Sequence, residues 1–344
     1  MLAAVFHAPN NITLQQVDMN RTQATLKVSA CAVCGYDVRV FRNGHRKVSP
    51  PVILGHELCG EIQSNVKVNG ITLKAGSRVA MCPLIPCLKC PYCQSKKYNL
   101  CMNLKEIGSS SDGGFAQYVS VPEQIVRVGG LIPVPESLSD EEAALLEPLA
   151  CCLNSFSRMA PIANGSTAVI IGDGPMGLIH LQLFKKLSSS RIAVVGKVSQ
   201  RMERASRMGA DAVFCYSSRT VADILDFAGA SSGASAIVIA TSNPTAFELA
   251  TEVAGRCSKI NVFAGMPSGQ TFLLDANWLH YNQISITGAF SSTPAILAEA
   301  ARIAAEKTID LSTIITHRYS LEEIEKAIHA TENYYGLRAV INKF

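Results

Sequence analysis

The pattern of apolar and polar positions changes character near residue 150. From residue 2 to about 30, apolar residues fall in short runs separated by polar turns, which predicts strands over 2–6, 12–17 and 24–30. Strand-like stretches follow over 52–54, 60–66, 78–82 and 119–121, with a short helical or irregular piece over 37–41 and a proline-broken loop over 43–51. This β-rich part closes near Pro133-Val134-Pro135, and a helix is expected to begin at Ser139. Its hydroxyl suits the first-turn N–H groups, and Asp140, Glu141 and Glu142 suit the positive helix end.

From Ser166 strand and helix alternate. Thr167-Ala168-Val169-Ile170-Ile171 is an uninterrupted apolar run, as in a parallel strand buried on both faces. It leads directly into Gly172-Asp173-Gly174-Pro175-Met176-Gly177 and an apolar helix over 178–187. Strands over 191–195, 236–240, 259–264 and 284–288, a βα unit from 209 to 216, and helices over 221–227 and 244–253 complete a doubly wound α/β pattern. A helix over 294–307 and β segments over 314–317 and 338–341 close the chain.

Composition narrows this picture. With 344 residues, two domains are the default. The 48% hydrophobic and 17% charged content describes a well-packed globule. A net charge of +4 without a dominant basic segment gives no support for nucleic acid or an anionic membrane as partner. The first 17 residues lack a signal-peptide pattern and no apolar run approaches the ~20 residues needed to cross a bilayer, so a soluble cytoplasmic protein is expected. In such a chain, twelve cysteines point to metal binding or catalysis rather than disulfides.

The cysteines fall into two patterns. Cys87, Cys90, Cys93 and Cys101 follow a C-x2-C-x2-C-x7-C spacing that turns four thiolates onto one ion, structural zinc ahead of an iron–sulfur cluster. Cys34, with Asp37 three residues on and Gly55-His56-Glu57 downstream, offers the thiolate, imidazole and carboxylates that zinc takes when one position stays open. Glu147 sits in the apolar stretch 143–150, where an unpaired carboxylate is costly, so a role at the metal is expected for it too.

The glycine loop between strand and helix is a dinucleotide fingerprint. Gly172, Gly174 and Gly177 permit a tight turn and close backbone approach to a pyrophosphate at the helix N-terminus. The second strand ends at Gly196-Lys197-Val198-Ser199-Gln200-Arg201, where no carboxylate meets the ribose and Lys197 and Arg201 can bind a ribose phosphate. NADP(H) is expected ahead of NAD(H).

Taken together, Cys34-Gly35-x-Asp37, Gly55-His56-Glu57, the Cys87/90/93/101 lobe, the segment 112–118, Glu147-Pro148-Leu149, the glycine loop and His280-Tyr281 make the chain resemble the zinc-dependent medium-chain alcohol dehydrogenases. Within these it resembles the polyol group of sorbitol, butanediol, threonine and galactitol-1-phosphate dehydrogenases. The resemblance implies a GroES-like catalytic domain formed by 1–152 and 290–344, with a structural zinc lobe at about 82–105, and a Rossmann cofactor domain over 153–289. It implies one catalytic zinc held by Cys34, His56 and either Glu57 or Glu147, with Asp37 behind the His56 ring, and one structural zinc. Cofactor contacts are expected from Gly172, Gly174, Pro175, Met176, Gly177, Gly196, Lys197, Arg201, Thr241, Gly265 and Met266.

The implied reaction interconverts a secondary alcohol, a polyol or sugar alcohol, with its ketone by hydride transfer to or from the nicotinamide. A homodimer or homotetramer built through the sheet edge near 284–288 is implied as well. Two residues depart from the family pattern: Tyr36 stands where a Ser or Thr passes on the alcohol proton, and Arg39 where a His commonly receives it. The Tyr36 phenol is a candidate replacement because it both donates and accepts. Arg39, Arg42, Arg46 and Lys47 offer a grip for a phosphorylated or acidic substrate. The competing classes are a zinc-free quinone or enoyl reductase of the same fold and a non-enzymatic nucleotide-binding relative.

Overall fold

Strand pairing sorts the chain into two compact units, one formed by residues 1–150 and 291–344 and the other by residues 151–290. The computed structural model describes residues 1–19, 24–188, 190–229 and 232–344, so the turn expected before residue 24 lies in part outside the described residues. No helix among the described residues is long and apolar enough to cross a membrane.

The first unit is built on the long strand Ala24–Val33. Glu57–Ile62 pairs antiparallel on one side and the C-terminal strand Arg338–Lys343 antiparallel on the other. Glu57 stands opposite Ala32, and Ala339 opposite Val33, so both neighbouring strands deliver charged side chains to the end of the central strand just before Cys34. Apolar side chains including Leu26, Leu58, Ile62, Phe115 and Ile341 bury the sheet, which makes that end a rigid platform.

Residues expected as a short helical piece form the helix Gly35–Asn43. The helix expected from Ser139 is two: Asp140–Ala144, capped reciprocally by Ser139 and Glu142, and Leu146–Met159. Leu145 leaves the helical path between them, which places Pro148 in a first turn, where its missing N–H costs no hydrogen bond. The helices Ala276–Asn282 and Ile324–Glu332 lie where no element was expected.

The second unit carries one six-stranded sheet in which every neighbouring pair is parallel. Its spatial order is Ala212–Cys215, Arg191–Gly196, Thr167–Ile171, Ala234–Ile239, Ala254–Val262, Ser285–Gly288. The sheet therefore runs outward in both directions from Thr167–Ile171 and Ala234–Ile239, the doubly wound arrangement whose ligand crevice lies at the carboxyl ends of those two strands. The glycine loop follows the first of them. The fold class read from the sequence is the one observed.

Candidate active site

Cys34 is the N-cap of the helix Gly35–Asn43, in extended backbone conformation. Asp37, three residues on, turns Oδ2 back to accept the Cys34 N–H at 2.8 Å. The C-x-x-D spacing is thus a helix cap as well as a chemical motif, and it fixes the Asp37 carboxylate under the thiol. The other oxygen, Oδ1, is buried and faces His56 Nδ1 at 3.5 Å. Cys34, His56 and Glu57 offer ligand atoms that all lie within 4.8 Å of one another.

Electrostatics in this cluster is set by burial and by one cation. Arg338, itself buried, places Nη2 3.0 Å from Glu57 Oε1 and donates through Nη1 to the Val33 carbonyl at 3.2 Å. Burial raises the Cys34 thiol, but the His56 hydrogen bond and the Arg338 charge outweigh it and bring the pKa down to about 7. Burial lowers the His56 imidazole, yet the Asp37 charge overcomes it and holds His56 well above the usual range. Burial pushes Glu57 well above the usual carboxylate range against the pull of Arg338.

These groups fit a cation. Glu57 Oε2 is buried without a partner, and it converges with the Cys34 thiol and the His56 imidazole, ligand types that zinc takes. Glu147 is buried in the helix Leu146–Met159 and acts electrostatically on Glu57 and Arg338, but it stands outside the 4.8 Å cluster.

A second cluster holds Cys87, Cys90, Cys93 and Cys101, again with all sulfurs within 4.8 Å of one another. The Cys87 N–H donates to Cys101 Sγ at 3.2 Å, and Cys90 and Cys93 sulfurs are 3.5 Å apart. Backbone N–H donors at Lys89 and Met102 lower the Cys87 thiol to about 6 and the Cys90 thiol below its usual value, while burial pushes Cys93 up to about 12. A concave nest of N–H groups around converging thiols is a thiolate cage, and few apolar residues back it.

In the second unit, the fingerprint glycines do separate jobs. Gly172 has φ +129°, a backbone conformation that favours glycine, and a Cβ on Gly177 would lie 1.9 Å from the Gly172 carbonyl oxygen. Gly174 is different: the nearest atom to a Cβ there is Arg201 Nη1 at 4.0 Å, so the fold does not require glycine at this position. A glycine the fold does not need, at the N-cap of the helix Pro175–Leu187, leaves the backbone there open to close approach.

Residues 20–135 match the family model of the alcohol dehydrogenase GroES-like domain, and residues 175–306 that of the zinc-binding dehydrogenase. A sorbitol dehydrogenase of Bacillus subtilis (strain 168) is 30% identical over 335 residues, covering 95% of this chain and 92% of the relative. The chain belongs to the zinc-binding medium-chain alcohol dehydrogenases, in their polyol dehydrogenase group. A D-arabitol-phosphate dehydrogenase of Enterococcus avium is 28% identical over 93% of this chain and 91% of its own length. Among solved structures, a protein of Sinorhizobium meliloti 1021 described as a zinc-binding dehydrogenase and bound to NADP superposes with a TM-score of 0.89 at 26% identity, over 99% of this chain and 98% of its own.

Around the Cys34 cluster of this polyol dehydrogenase, Tyr36 sets its ring edge-on to His56 at a centroid distance of 5.7 Å. Its hydroxyl lies 3.0 Å from Ser109 Oγ and 3.3 Å from His45 Nδ1. The Lys47 N–H donates to His45 Nδ1 at 3.3 Å, so that nitrogen is an acceptor, and a hydrogen bond between it and Tyr36 has the phenol as donor. Nothing in the sequence pattern singles out His45, Ser109 or Arg338.

At the cofactor loop the dehydrogenase holds another unforeseen group. Asp173 Oδ2 accepts the N–H groups of Lys197 and Val198 at 2.8 and 2.7 Å, lacing the glycine loop to the turn after Arg191–Gly196. Gly196 must be small there, since a Cβ would lie 2.4 Å from the same oxygen. Lys197 Nζ lies 5.2 Å from the Tyr216 ring centroid. Pro175 and Met176 open the helix, Thr241 follows Ala234–Ile239, and Gly265 and Met266 follow Ala254–Val262, so these residues gather at the carboxyl ends of the central strands.

Proposed function

We propose that this dehydrogenase oxidises a secondary hydroxyl of a polyol or sugar alcohol to the ketone, or runs the reverse, with zinc held by Cys34, His56 and Glu57 and with NADP(H) as the preferred cofactor. The observation that carries the proposal is the thiol, imidazole and buried carboxylate within 4.8 Å of one another, with Glu57 Oε2 left without a partner. When bound, zinc supplies Lewis-acid polarisation of the substrate oxygen and the nicotinamide supplies the hydride chemistry.

The chain's own residues supply the rest. Asp37 holds the His56 ring from behind and raises its basicity. Arg338 fixes Glu57 by one oxygen and leaves the other free to face the metal. Glu147 adds negative charge nearby. Tyr36 receives the alcohol proton at its oxygen while passing its own to His45 Nδ1, so the pair replaces the family's Ser/Thr and His. Burial raises the Tyr36 phenol, which keeps it protonated and able to donate in the resting site.

The polyol class is supported by relatives named sorbitol and D-arabitol-phosphate dehydrogenases. NADP(H) is supported by Lys197 and by Arg201, whose guanidinium reaches the Gly174 cradle, while the Asp173 charge is already bonded to two N–H groups; the Sinorhizobium meliloti neighbour is bound to NADP. The Cys87, Cys90, Cys93 and Cys101 cage is proposed to hold the structural zinc. Assembly is proposed through Ser285–Gly288, an edge strand preceded in the chain by the exposed Leu273 and Tyr281, into a homodimer or homotetramer.

The test is an absorbance assay of cofactor reduction over a panel of polyols, with NADP and NAD in parallel. Oxidation of at least one polyol, with the lower KM for NADP, supports the proposal. No turnover of any polyol with either cofactor rejects it, and a lower KM for NAD rejects the cofactor preference.

A further inference from the structure

Beside Tyr36 the chain gathers positive charge that alcohol oxidation alone does not need. Four cations follow the Cys34 motif, and the structure separates them. Arg42 is committed: Nε donates to Glu332 Oε1 at 2.7 Å and Nη1 to Asn10 Oδ1 at 2.6 Å. Lys47 reaches Glu106 at 3.4 Å. Arg39 and Arg46 are both exposed, and neither has an ion-pair or hydrogen-bond partner among the described residues.

Position makes these two informative. A Cβ on Gly35 would lie 3.6 Å from Arg39 Nη1, so the guanidinium folds back along the helix Gly35–Asn43 onto its first turn, one residue from Cys34. The Asp37 carboxylate in that turn is committed to the Cys34 N–H and faces His56, which leaves the Arg39 guanidinium without an anion of its own among the described residues. A second observation locates the remaining charges. His45, bonded to the Tyr36 hydroxyl, is lowered first by burial and then by Lys47, Arg46 and Arg39, with Glu106 the opposing acid. Arg46 and Lys47 are the two residues that follow His45, whose Nδ1 lies 3.3 Å from the Tyr36 hydroxyl.

Resting on the polyol dehydrogenase reading, we infer that Arg39 and Arg46 form an oxyanion subsite beside Tyr36 that takes a phosphate or carboxylate carried by the substrate. Guanidinium forks match either group bidentately, where a lysine offers only a point charge. Arg42 and Lys47 line the same segment but are held by their own carboxylates, Arg42 supporting the helix end and Lys47 tethering the loop to Glu106. The subsite makes the enzyme selective for charged polyols over the neutral parents.

Steady-state kinetics on the holoenzyme tests this with three matched substrates: a neutral polyol, its terminal phosphate ester and the corresponding aldonate. One charge-assisted contact is worth about tenfold or more, so kcat/KM for a charged substrate is expected to exceed that for the neutral one by at least about tenfold. Whether the phosphate or the carboxylate gains the advantage identifies the anion. In Arg39→Gln and Arg46→Gln the ratio is expected to fall toward one through KM, with Arg39→Lys recovering part of it. Equal efficiency on all three substrates, or variants in which only the cofactor KM rises, would overturn the subsite while leaving the dehydrogenase assignment standing. Failure of every polyol, charged or neutral, would reject the dehydrogenase reading instead.

Discussion

Arg338 and Glu57 are 3.0 Å apart, both almost fully buried, and come from opposite ends of the chain. The strand Ala24–Val33 stands between their strands and sets the register that lets them meet at the end carrying Cys34. A buried ion pair is weak evidence for stability, but removing one partner leaves an uncompensated charge. Under the proposed zinc assignment it positions the Glu57 carboxylate for the metal. Arg338→Met is expected to cost about 3–5 kcal/mol in chemical denaturation and to weaken retention of the catalytic metal. The double variant with Glu57→Leu is expected to recover part of the stability and none of the activity. Wild-type stability in Arg338→Met would show that the pair is dispensable.

The proposed proton-relay role of Tyr36 separates from substrate packing by pH. Tyr36→Phe keeps the ring against His56 and removes the hydroxyl that lies 3.3 Å from His45 Nδ1. Loss of a positioned proton-transfer group costs about 10²–10⁴-fold in turnover. A fall of that order with an altered pH profile, matched by His45→Gln, is expected. Unchanged turnover and pH profile in Tyr36→Phe would assign the ring to the pocket wall alone.

Two of the three fingerprint glycines make opposite predictions. At Gly174 an alanine meets nothing closer than Arg201 Nη1 at 4.0 Å, so the fold is expected to be unaffected while the cofactor KM rises about tenfold or more. At Gly177 the added Cβ lies 1.9 Å from the Gly172 carbonyl, so Gly177→Ala is expected to destabilise the protein by about 1–3 kcal/mol. Thermal unfolding and cofactor titration of both variants check this; equal behaviour in the two would contradict the division of roles.

His180 gives a pH dependence free of the metal sites. It is fully buried in the helix Pro175–Leu187, with Nδ1 2.8 Å from the Met176 carbonyl and its ring edge-on to Phe263, and burial lowers its pKa to about 4. The folded pKa lies below the unfolded value of about 6.5, so the unfolded chain binds the proton more readily in between. The stability in question is fully present above pH ~6.5 and is lost as pH falls to about 4, a change of about 3 kcal/mol for this group. His180→Leu is expected to flatten the difference between denaturation curves at pH 7 and pH 4. Identical pH dependence in variant and wild type would show that His180 is not buried neutral.

Local patterns made much of this site legible in the sequence, and long-range pairing hid the rest. The Cys34-Gly35-Tyr36-Asp37 spacing is readable because a helix cap and a metal thiol use the same residues, and the glycine loop because strand, turn and helix are contiguous. Arg338 is invisible until strand registers are known, since it sits near the far end of the chain from Glu57 and no local motif announces it. His45 depends on a loop folding back to Tyr36, and Asp173 on a turn after the neighbouring strand. The helix expected from Ser139 divides at Leu145 because in a continuous helix Pro148 would have no N–H for the Ala144 carbonyl and its ring would clash there. Of the four cations after Cys34, only packing distinguishes Arg42, committed to Glu332, from Arg39 and Arg46.

The assignment of Cys34, His56 and Glu57 to a catalytic zinc is tested most directly by counting metal. Zinc content by mass spectrometry, on wild type and on Cys34→Ser, reports both sites in one measurement, with circular dichroism as the check on folding. The assignment predicts two zinc ions per wild-type chain, and in Cys34→Ser one ion, a retained fold and loss of polyol oxidation. Two zinc ions and undiminished oxidation in Cys34→Ser would contradict it.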